Sequence, residues 1–263
     1  MIRTVVIGSP IDHSLSPKIH NEAFINQRID GEMKPILVEP ADLKACLRKL
    51  RNQGVVGASV TIPHKVEIIK YCDALSKDAQ AIGAVNCLEF KSNKMIGHNT
   101  DAAGYIFGLK KHSIPTHDQH IHIYGGGGAA KALHHKLKRH NDVEIFARNP
   151  KASTWCKANH WNNQWDECLI KKCTLLIDCT PIGLSDTSES QTTSTFPLDL
   201  LMPKCVISTL IYHRETALLK EAKSKHHKVI DGLDMLVGQA RHAFKIWTGA
   251  QFEYDLIIKN LRQ

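Results

Sequence analysis

The chain has 263 residues, which is enough for one large domain or two ordinary ones. Its 43% hydrophobic and 23% charged residues are typical of a soluble globular protein. No apolar run approaches the roughly 18 residues that a membrane span needs, so no membrane partner is expected. The net charge is +8, but the basic residues are scattered; we therefore expect no nucleic-acid partner, although a positive field would attract small anionic ligands.

The eight cysteines include no CxxC pair with metal-site spacing, and we expect no metal site. Several lie in apolar runs such as LIDCT and AVNCL, where cysteine packs as a small hydrophobic side chain. Residues 2–4 lead straight into a predicted strand, so no signal peptide is expected at the start of this sequence. Together these features predict reduced thiols and a cytoplasmic location.

In the first hundred residues, short apolar runs typical of strands alternate with stretches in which apolar residues repeat at helical spacing. The predicted elements are, in order, a strand at 4–8, a helix from Ser16 to about Gln27, a strand at 34–38, a helix at 42–53, a strand at 55–62, a short helix at 76–82 ended by Gly83, and a hairpin of strands 86–90 and 95–97. Ser16 is the expected N-cap of its helix, because Pro17 follows in the first turn. Ser92–Asn93 is the expected hairpin turn.

The stretch GASVTIPHK ends with Lys65. Pro63 should stop the buried strand, and a helix is expected to begin near His64. That arrangement would place the Lys65 ammonium beside the positive end of a helix, which favours release of its proton. Lys65 is therefore a candidate proton donor and acceptor. An ordinary surface lysine is the alternative.

A second strand-to-helix junction, GHNTDAAG at 97–104, offers the carboxylate of Asp101 at the start of a helix that should reach Lys111. Taken alone, an acid at this position is more often a helix N-cap, which is the alternative. Two separate loops thus supply an amine and an acid, which is the pair of groups that proton transfer requires.

The second half of the sequence follows a polar connection at 113–120. A strand at 121–124, glycines at 125–128, a helix at 129–140 and a strand at 143–146 form a predicted βαβ unit. Strands at 175–177, 206–207 and 229–230, a helix at 214–225, an exposed loop at 186–194 and helices at 233–247 and 254–261 complete the prediction. The alternation predicts an α/β fold with two lobes, at 1–100 and 101–236, and C-terminal helices at 237–263 that return to the first lobe.

The segment IYGGGGAAKA fits the G-x-G-x-x-[GA] pattern through Gly125, Gly127 and Ala130. It follows a predicted strand and opens a helix, which is the context of a dinucleotide-binding loop. Glycine permits the tight turn and the close approach of a pyrophosphate to the backbone, and the helix N-terminus stabilises the anion. A flexible glycine-rich turn without a ligand is the alternative.

The residues at the end of the strand at 143–146 should determine whether the cofactor is NAD or NADP. An acid there would bind the ribose hydroxyl of NAD, but this chain has Arg148 and no carboxylate beside it. Since a guanidinium holds a phosphate through charge-assisted hydrogen bonds, the sequence predicts NADP rather than NAD. A plain surface arginine is the alternative.

With these motifs in hand, the chain resembles the shikimate 5-dehydrogenase family over nearly its whole length. The matching stretches are GSPIDHSLSPKIHN, GASVTIPHK, GAVNCL, NTDAAG, the glycine loop and GLDMLVGQARHAF. The resemblance implies an N-terminal substrate lobe, a Rossmann lobe that binds NADP, and a C-terminal return to the substrate lobe. It implies reversible reduction of 3-dehydroshikimate to shikimate by NADPH in chorismate and aromatic amino-acid biosynthesis, by a monomer or a homodimer.

The resemblance also implies residue roles. Lys65 and Asp101 match the catalytic pair. The residues that match substrate ligands are Ser14, Ser16, Thr61, Asn86, Tyr212 and Gln239. The residues that match NADP contacts are Gly125, Gly126, Gly127, Gly128, Ala129, Arg148, Thr180, Gly232 and Met235. Taken singly, Ser16 also fits a helix cap, Asn86 a turn residue and Gln239 an ordinary polar position on a helix.

The chain departs from the family's usual pattern at several positions. Ser59 stands where the family usually has Asn, and Ala147 and Asn149 replace the Asn and Thr of an Asn-Arg-Thr motif. Asp178–Cys179–Thr180 replaces Asn-Ala-Thr, and Thr209 replaces the Asp of an Asp-x-x-Tyr motif. A related enzyme that accepts quinate or NAD, and a non-catalytic ligand sensor, are therefore the competing interpretations.

Overall fold

A computed structural model of the chain describes residues 1–152, 155–161, 166–184 and 196–263. The chain divides into two compact units, of which unit 1 comprises Met1–Tyr105 with Leu236–Gln263 and unit 2 comprises Ile106–Met235. Each unit contains a six-stranded sheet with helices, which confirms the predicted α/β fold. The loop expected at 186–194 lies outside the described residues. Within them, no helix is both long and apolar enough to cross a membrane.

Unit 1 is built on a mixed sheet. Its strands are β1 (Ile2–Gly8), β2 (Gly31–Leu37), β3 (Gly57–Val60), β4 (Ala74–Leu75), β5 (Cys87–Lys91) and β6 (Lys94–His98), in the order β2-β1-β3-β5-β6-β4. β1 pairs in parallel with β2 and β3, whereas β5 pairs antiparallel with β3 and β6. The loops that follow β1 and β3 therefore leave the sheet at the same edge.

Helices cover this sheet where the apolar spacing predicts them. They are α1 (Ser16–Asn26), α2 (Leu43–Asn52), α3 (Lys77–Ile82) and the start of α4 (Asp101–Lys111), followed at the C-terminus by most of α8 (Leu233–Thr248) and by α9 (Tyr254–Leu261). α2 buries Leu43, Leu47 and Leu50, the residues that repeat at helical spacing. α8 is fastened to the sheet by Trp247, whose indole N–H donates to the Leu88 carbonyl at 2.9 Å.

The predicted hairpin is confirmed. Ser92 and Asn93 connect β5 to β6 with φ of +50° and +59°, which is the left-handed backbone that a two-residue hairpin turn needs. The helix predicted at 76–82 is also confirmed: the Ser76 hydroxyl accepts from the Ala79 N–H at 3.2 Å, and Gly83 ends the helix with φ of +68°.

The α-helix expected from His64 onward is wrong. The chain makes turns after β3 and then a 3-10 helix at Glu67–Tyr71. The Lys65 carbonyl, which would accept from Ile69 in an α-helix, instead accepts from the Val85 N–H at 2.7 Å, and Ile69 N–H bonds to Val66. Lys65 therefore lies in a turn before this short 3-10 helix and not in the first turn of an α-helix.

Ser16 is not the N-cap that the sequence suggests. Leu15 occupies that position, because its carbonyl accepts the first intrahelical bond, from the Ile19 N–H at 3.0 Å. The Ser14 hydroxyl accepts from the Ser16 N–H at 3.3 Å, so the serine that satisfies the helix end is Ser14.

Unit 2 is built on an all-parallel sheet. Its strands are β7 (His120–Tyr124), β8 (Asp142–Ala147), β9 (Asn159–His160), β10 (Leu175–Asp178), β11 (Val206–Thr209) and β12 (Val229–Ile230), in the order β12-β11-β10-β7-β8-β9. This is the doubly wound order of a Rossmann fold, with its switch point between β7 and β10. Ligands of such sheets bind beyond the carboxyl ends of the strands at this point.

The helices of unit 2 begin and end slightly differently from the prediction. They include α5 (Gly128–Leu137), α6 (Glu167–Lys172), which the sequence did not indicate, and α7 (Ala217–Ser224). α7 starts later than predicted because Thr216 caps it, with its hydroxyl accepting from the Leu219 N–H at 3.3 Å. Aromatic rings fill the core, with Tyr124 stacked on Phe146 at 4.8 Å between ring centroids.

Asp178 ends β10 as a buried carboxyl group, 1% exposed. Its Oδ1 accepts from the Thr180 N–H at 2.8 Å, and it also bonds to the Thr209 side chain. Burial raises the pKa of Asp178 from 3.8 to about 7, and the hydrogen bonds from Thr180 and Thr209 oppose that shift only in part. Between about pH 4 and pH 7 the folded protein therefore holds a proton that the unfolded chain has lost, so stability falls as pH rises through this window.

We predict that Asp178→Asn stabilises the protein above pH 7. The amide keeps an acceptor for Thr180 but carries no charge, so the cost of ionising a buried group disappears. The melting temperature at pH 8 should rise by several degrees, and its decline between pH 5 and pH 8 should flatten. Asp118→Asn removes the same charge from a side chain that is 92% exposed and serves as the control. An unchanged or lower melting temperature at pH 8 contradicts this interpretation.

Candidate active site

Lys65 and Asp101 form a close ion pair in unit 1. The Lys65 Nζ lies 2.7 Å from the Asp101 Oδ2. Lys65 comes from the turn after β3, and Asp101 is the first residue of α4. The acid side chain is only 7% exposed, whereas the lysine side chain is 29% exposed. The arrangement buries the carboxylate and leaves the amine accessible to a ligand.

Asn86 holds the other side of this carboxylate. Its side-chain Nδ2 donates to the Asp101 Oδ1 at 2.8 Å, and its Oδ1 accepts from the Thr100 N–H at 2.7 Å. Asp101 thus accepts from Lys65 on one oxygen and from Asn86 on the other. Both are hydrogen bonds to an acceptor-only group in its ionised form, so they fix its orientation.

Asp101 is not the helix cap that its position suggested. The Thr100 carbonyl accepts from the Gly104 N–H at 2.9 Å, which makes Thr100 the cap of α4. The Asp101 N–H bonds to the Asn99 side chain at 3.2 Å, and Asn99 in turn donates to the Ala84 carbonyl. The carboxylate is therefore directed at Lys65 and Asn86.

Gln239 joins the same cluster from α8. Its Oε1 lies 3.3 Å from the Asn86 Nδ2 and 3.5 Å from the Thr100 hydroxyl, while its own Nε2 donates to the Leu236 carbonyl. Gly104 and Gly238 permit this approach of α8 to α4: a Cβ on Gly104 would lie 2.2 Å from the Gln239 nitrogen. Two amide side chains, from residues 153 apart, thus meet beside the ion pair.

Three more predicted substrate residues lie beyond one edge of the unit 1 sheet, Ser14 and Thr61 in loops and Ser16 as the first residue of α1. Ser14 and Ser16 follow β1, and Thr61 follows β3, which is parallel to β1. Ser16 is buried and Thr61 is half-buried. Tyr212 follows β11 in unit 2, where burial raises the pKa of its hydroxyl. The roles of all four at a substrate stay predictions.

The glycine loop of unit 2 has the shape that a pyrophosphate requires. Gly125 follows β7 with φ of +118°, and a Cβ there would lie 3.0 Å from the Cys179 carbonyl oxygen. Gly127 is the N-cap of α5 and Gly128 its first residue. Among the residues that the structure describes, none lies within 4 Å of a Cβ built on either glycine, so these leave open space at the helix N-terminus. These residues fit a dinucleotide phosphate.

The remaining predicted cofactor residues lie around the carboxyl ends of the same sheet. Arg148 is exposed just after β8, and Ala129 is the second residue of α5. Thr180 follows β10, and its hydroxyl accepts from the Ile182 N–H at 3.2 Å. Gly232 lies near the C-terminal end of unit 2, where its N–H donates to the Ile211 carbonyl at 2.9 Å, and Met235 is the last residue of the unit. Their contacts with a cofactor stay predictions.

Sequence reasoning overlooked two residues of the unit 1 cluster. Asn99 and Thr100 support Asp101 and Asn86 through their side chains. The signal was available, because both stand directly before Asp101 in the stretch NTDAAG. Ser59, one of the departures from the family pattern, is buried, and its hydroxyl has no hydrogen-bond partner among the described residues.

The chain is similar in sequence to known proteins. A family described as "Shikimate dehydrogenase substrate binding domain" matches residues 6–88, and one described as "Shikimate 5'-dehydrogenase C-terminal domain" matches residues 232–262. The shikimate dehydrogenase (NADP(+)) of Methanocaldococcus jannaschii is 38% identical over 97% of this chain and 94% of its own length.

Solved structures give the same result. A crystal structure of a shikimate dehydrogenase in complex with NADP+ is similar with a TM-score of 0.92 and 34% identity, over 100% of this chain and 95% of that one. The enzyme of Thermus thermophilus, in complex with NADP(H) and shikimate, has a TM-score of 0.89 and 29% identity over 100% of this chain and 99% of its own. The resemblance found in the sequence is confirmed: the chain belongs to the shikimate dehydrogenase family.

Proposed function

We propose that this protein is an NADP-dependent shikimate dehydrogenase, which reversibly reduces 3-dehydroshikimate to shikimate in chorismate and aromatic amino-acid biosynthesis. The observation that carries the proposal is the Lys65–Asp101 pair, in which a buried carboxylate is held on both oxygens beside an accessible amine. Relatives named shikimate dehydrogenase (NADP(+)), which align over almost the entire chain, support the choice of substrate and cofactor.

Reduction of a ketone adds a hydride to carbon and a proton to oxygen. Bound NADPH supplies the hydride. Lys65, as an ammonium, donates the proton to the oxygen on which negative charge develops, and in the reverse direction its neutral amine takes the proton of the alcohol. One N–H of the ammonium is committed to Asp101, which leaves the others free to face the substrate.

Asp101 acts by fixing Lys65. Its two oxygens already accept from Lys65 and Asn86, so the carboxylate needs no reorganisation when the substrate binds. A preset geometry of this kind contributes to the rate because the donor does not have to be ordered during the reaction. In our proposal Asn86 and Gln239 orient ring hydroxyl groups, since amides both donate and accept. Ser14 and Ser16 bind the carboxylate of the substrate, and Thr61 is a further substrate ligand of unit 1.

Unit 2 is the proposed NADP-binding domain, and unit 1, with the C-terminal helices, the substrate-binding domain. Gly126, Gly127, Gly128 and Ala129 would hold the pyrophosphate through backbone N–H groups at the start of α5. Gly125, whose own N–H is bonded to the Phe146 carbonyl, would form the tight turn that lets the pyrophosphate approach the backbone. Arg148 would hold the ribose 2′-phosphate, and Thr180, Gly232 and Met235 would contact the remainder of the cofactor. The openness in front of Gly127 and Gly128 supports this assignment.

The direct test is an absorbance assay for reduced nicotinamide with the purified protein. Shikimate with NADP+ should give turnover, and quinate or NAD+ should give less. Faster turnover of quinate than of shikimate would assign the protein to a quinate-oxidising relative. Binding of shikimate without turnover of either compound would instead indicate a ligand sensor and overturn the proposal.

We predict that Lys65→Ala lowers kcat for shikimate oxidation by at least about 10-fold, because a positioned acid or base contributes roughly 10²–10⁴ to the rate. KM for shikimate should change little, since the amine acts mainly in the transition state. Lys77→Ala, which removes an exposed lysine of α3, is the control. If Lys65→Ala leaves kcat at the level of the unaltered protein, the assigned role is wrong.

We predict that Arg148→Ala raises KM for NADP+ by about 10-fold or more, because a hydrogen bond to a charged group contributes roughly 1.5–3 kcal/mol. KM for NAD+, which lacks the 2′-phosphate, should stay nearly the same. Arg139→Ala removes an exposed arginine of the same unit and serves as the control. An equal rise in KM for NADP+ and for NAD+ would refute the assignment of Arg148 to the 2′-phosphate.

A further inference from the structure

Trp155 contacts the glycine loop from a segment to which neither the motifs nor the family resemblance assigns a role. It follows β8, is half-buried, and donates its indole N–H to the Gly126 carbonyl at 3.2 Å. Its ring also packs on His134, with 5.3 Å between ring centroids. Since His134 belongs to α5, a single side chain touches both the loop and the helix that the loop begins.

Because of the geometry of the peptide bond, this contact also fixes the direction of a hydrogen-bond donor, the Gly127 N–H. The Gly126 carbonyl and the Gly127 N–H belong to one planar peptide, which is trans. In a trans peptide these two groups point in opposite directions. Holding the carbonyl toward Trp155 therefore aims the Gly127 N–H away from the indole.

Four consecutive glycines have more conformational freedom than any other sequence of that length, so ordering them is costly. Here the loop is anchored at three successive points. The Gly125 N–H donates to the Phe146 carbonyl at 2.8 Å, and the Gly127 carbonyl accepts from the Lys131 N–H at 3.0 Å. Trp155 holds the carbonyl of the residue between them.

We propose that Trp155 is a positioning residue for the dinucleotide, which presets the Gly126–Gly127 peptide so that the loop's N–H donors are ready for the pyrophosphate. The inference rests on the proposed function, because it concerns the NADP site. Preset donors reduce the ordering cost of binding. Trp155 should consequently affect affinity for NADP+ and NAD+ alike, in contrast to Arg148, and should leave shikimate affinity unchanged.

The test is calorimetric titration of Trp155→Phe, which keeps a ring for His134 but loses the indole N–H. Two ligands are compared without substrate: NADP+, and adenosine 2′-monophosphate, which carries the 2′-phosphate of the adenosine end but neither phosphate of the pyrophosphate. The Kd of NADP+ should rise about 3- to 10-fold, the effect of one neutral hydrogen bond. The Kd of the monophosphate should stay within about twofold of that of the unaltered protein, because this ligand carries no 5′-phosphate for the N–H donors of the loop.

Trp247→Phe is the matched control. It removes an indole hydrogen bond to a backbone carbonyl in unit 1, so it makes the same chemical change away from the loop. It should leave the Kd of NADP+ unchanged. As a second readout, hydrogen exchange of the peptide that covers 125–128 should be faster in Trp155→Phe than in the unaltered protein when no nucleotide is bound.

The outcomes separate the inference from the function on which it rests. An unchanged Kd of NADP+ in Trp155→Phe, or equal weakening of both ligands, overturns the role of Trp155 while leaving the NADP site in place. Unchanged hydrogen exchange at 125–128 overturns it as well. If the unaltered protein itself binds no NADP+, the proposed function and this inference are both overturned.

Discussion

The hydrogen bond between the Lys65 ammonium and the buried Asp101 carboxylate is the contact on which the proposed chemistry of this protein depends. A carboxylate removed from water must be paired, and Asp101 has a partner for each oxygen, Lys65 and Asn86. Pairing on both sides fixes the acid, and the fixed acid in turn fixes the amine. In the proposed mechanism the exposed part of Lys65 meets the substrate, and the pair acts as a directed proton donor.

In each unit, the order and direction of the strands position that unit's candidate site residues. In unit 1 the parallel strands β1 and β3 send their following loops to one edge, and the close approach of Gly104 and Gly238 brings Gln239 to Asn86. In unit 2 the parallel order places the glycine loop after β7 and the Asp178–Thr180 segment after β10, on either side of the switch point. Gly125 packs against Cys179 there, so the loop after one strand is shaped by the loop after its neighbour.

Sequence reasoning succeeded where the determinants are local. The turn at Ser92–Asn93 and the leucines of α2 need only neighbouring residues, and the order of motifs was specific enough to identify the family. It failed after Pro63, because the bond that prevents an α-helix joins Lys65 to Val85, twenty positions later in the numbering. The cluster of Asn86 with Gln239 spans 153 residues, so only the family resemblance, and no local pattern, could bring the two together.

The most direct test of the account is a double-mutant cycle on kcat for shikimate oxidation with NADP+, with Lys65→Ala, Asp101→Asn and the double variant. If Asp101 works only by fixing Lys65, the double variant should be no slower than Lys65→Ala alone, because residues that act as a unit lose their effect together. If kcat of the double variant is instead lowered by the product of the two factors found for the single variants, the account is contradicted. That result would mean that the amine and the acid contribute to the reaction independently.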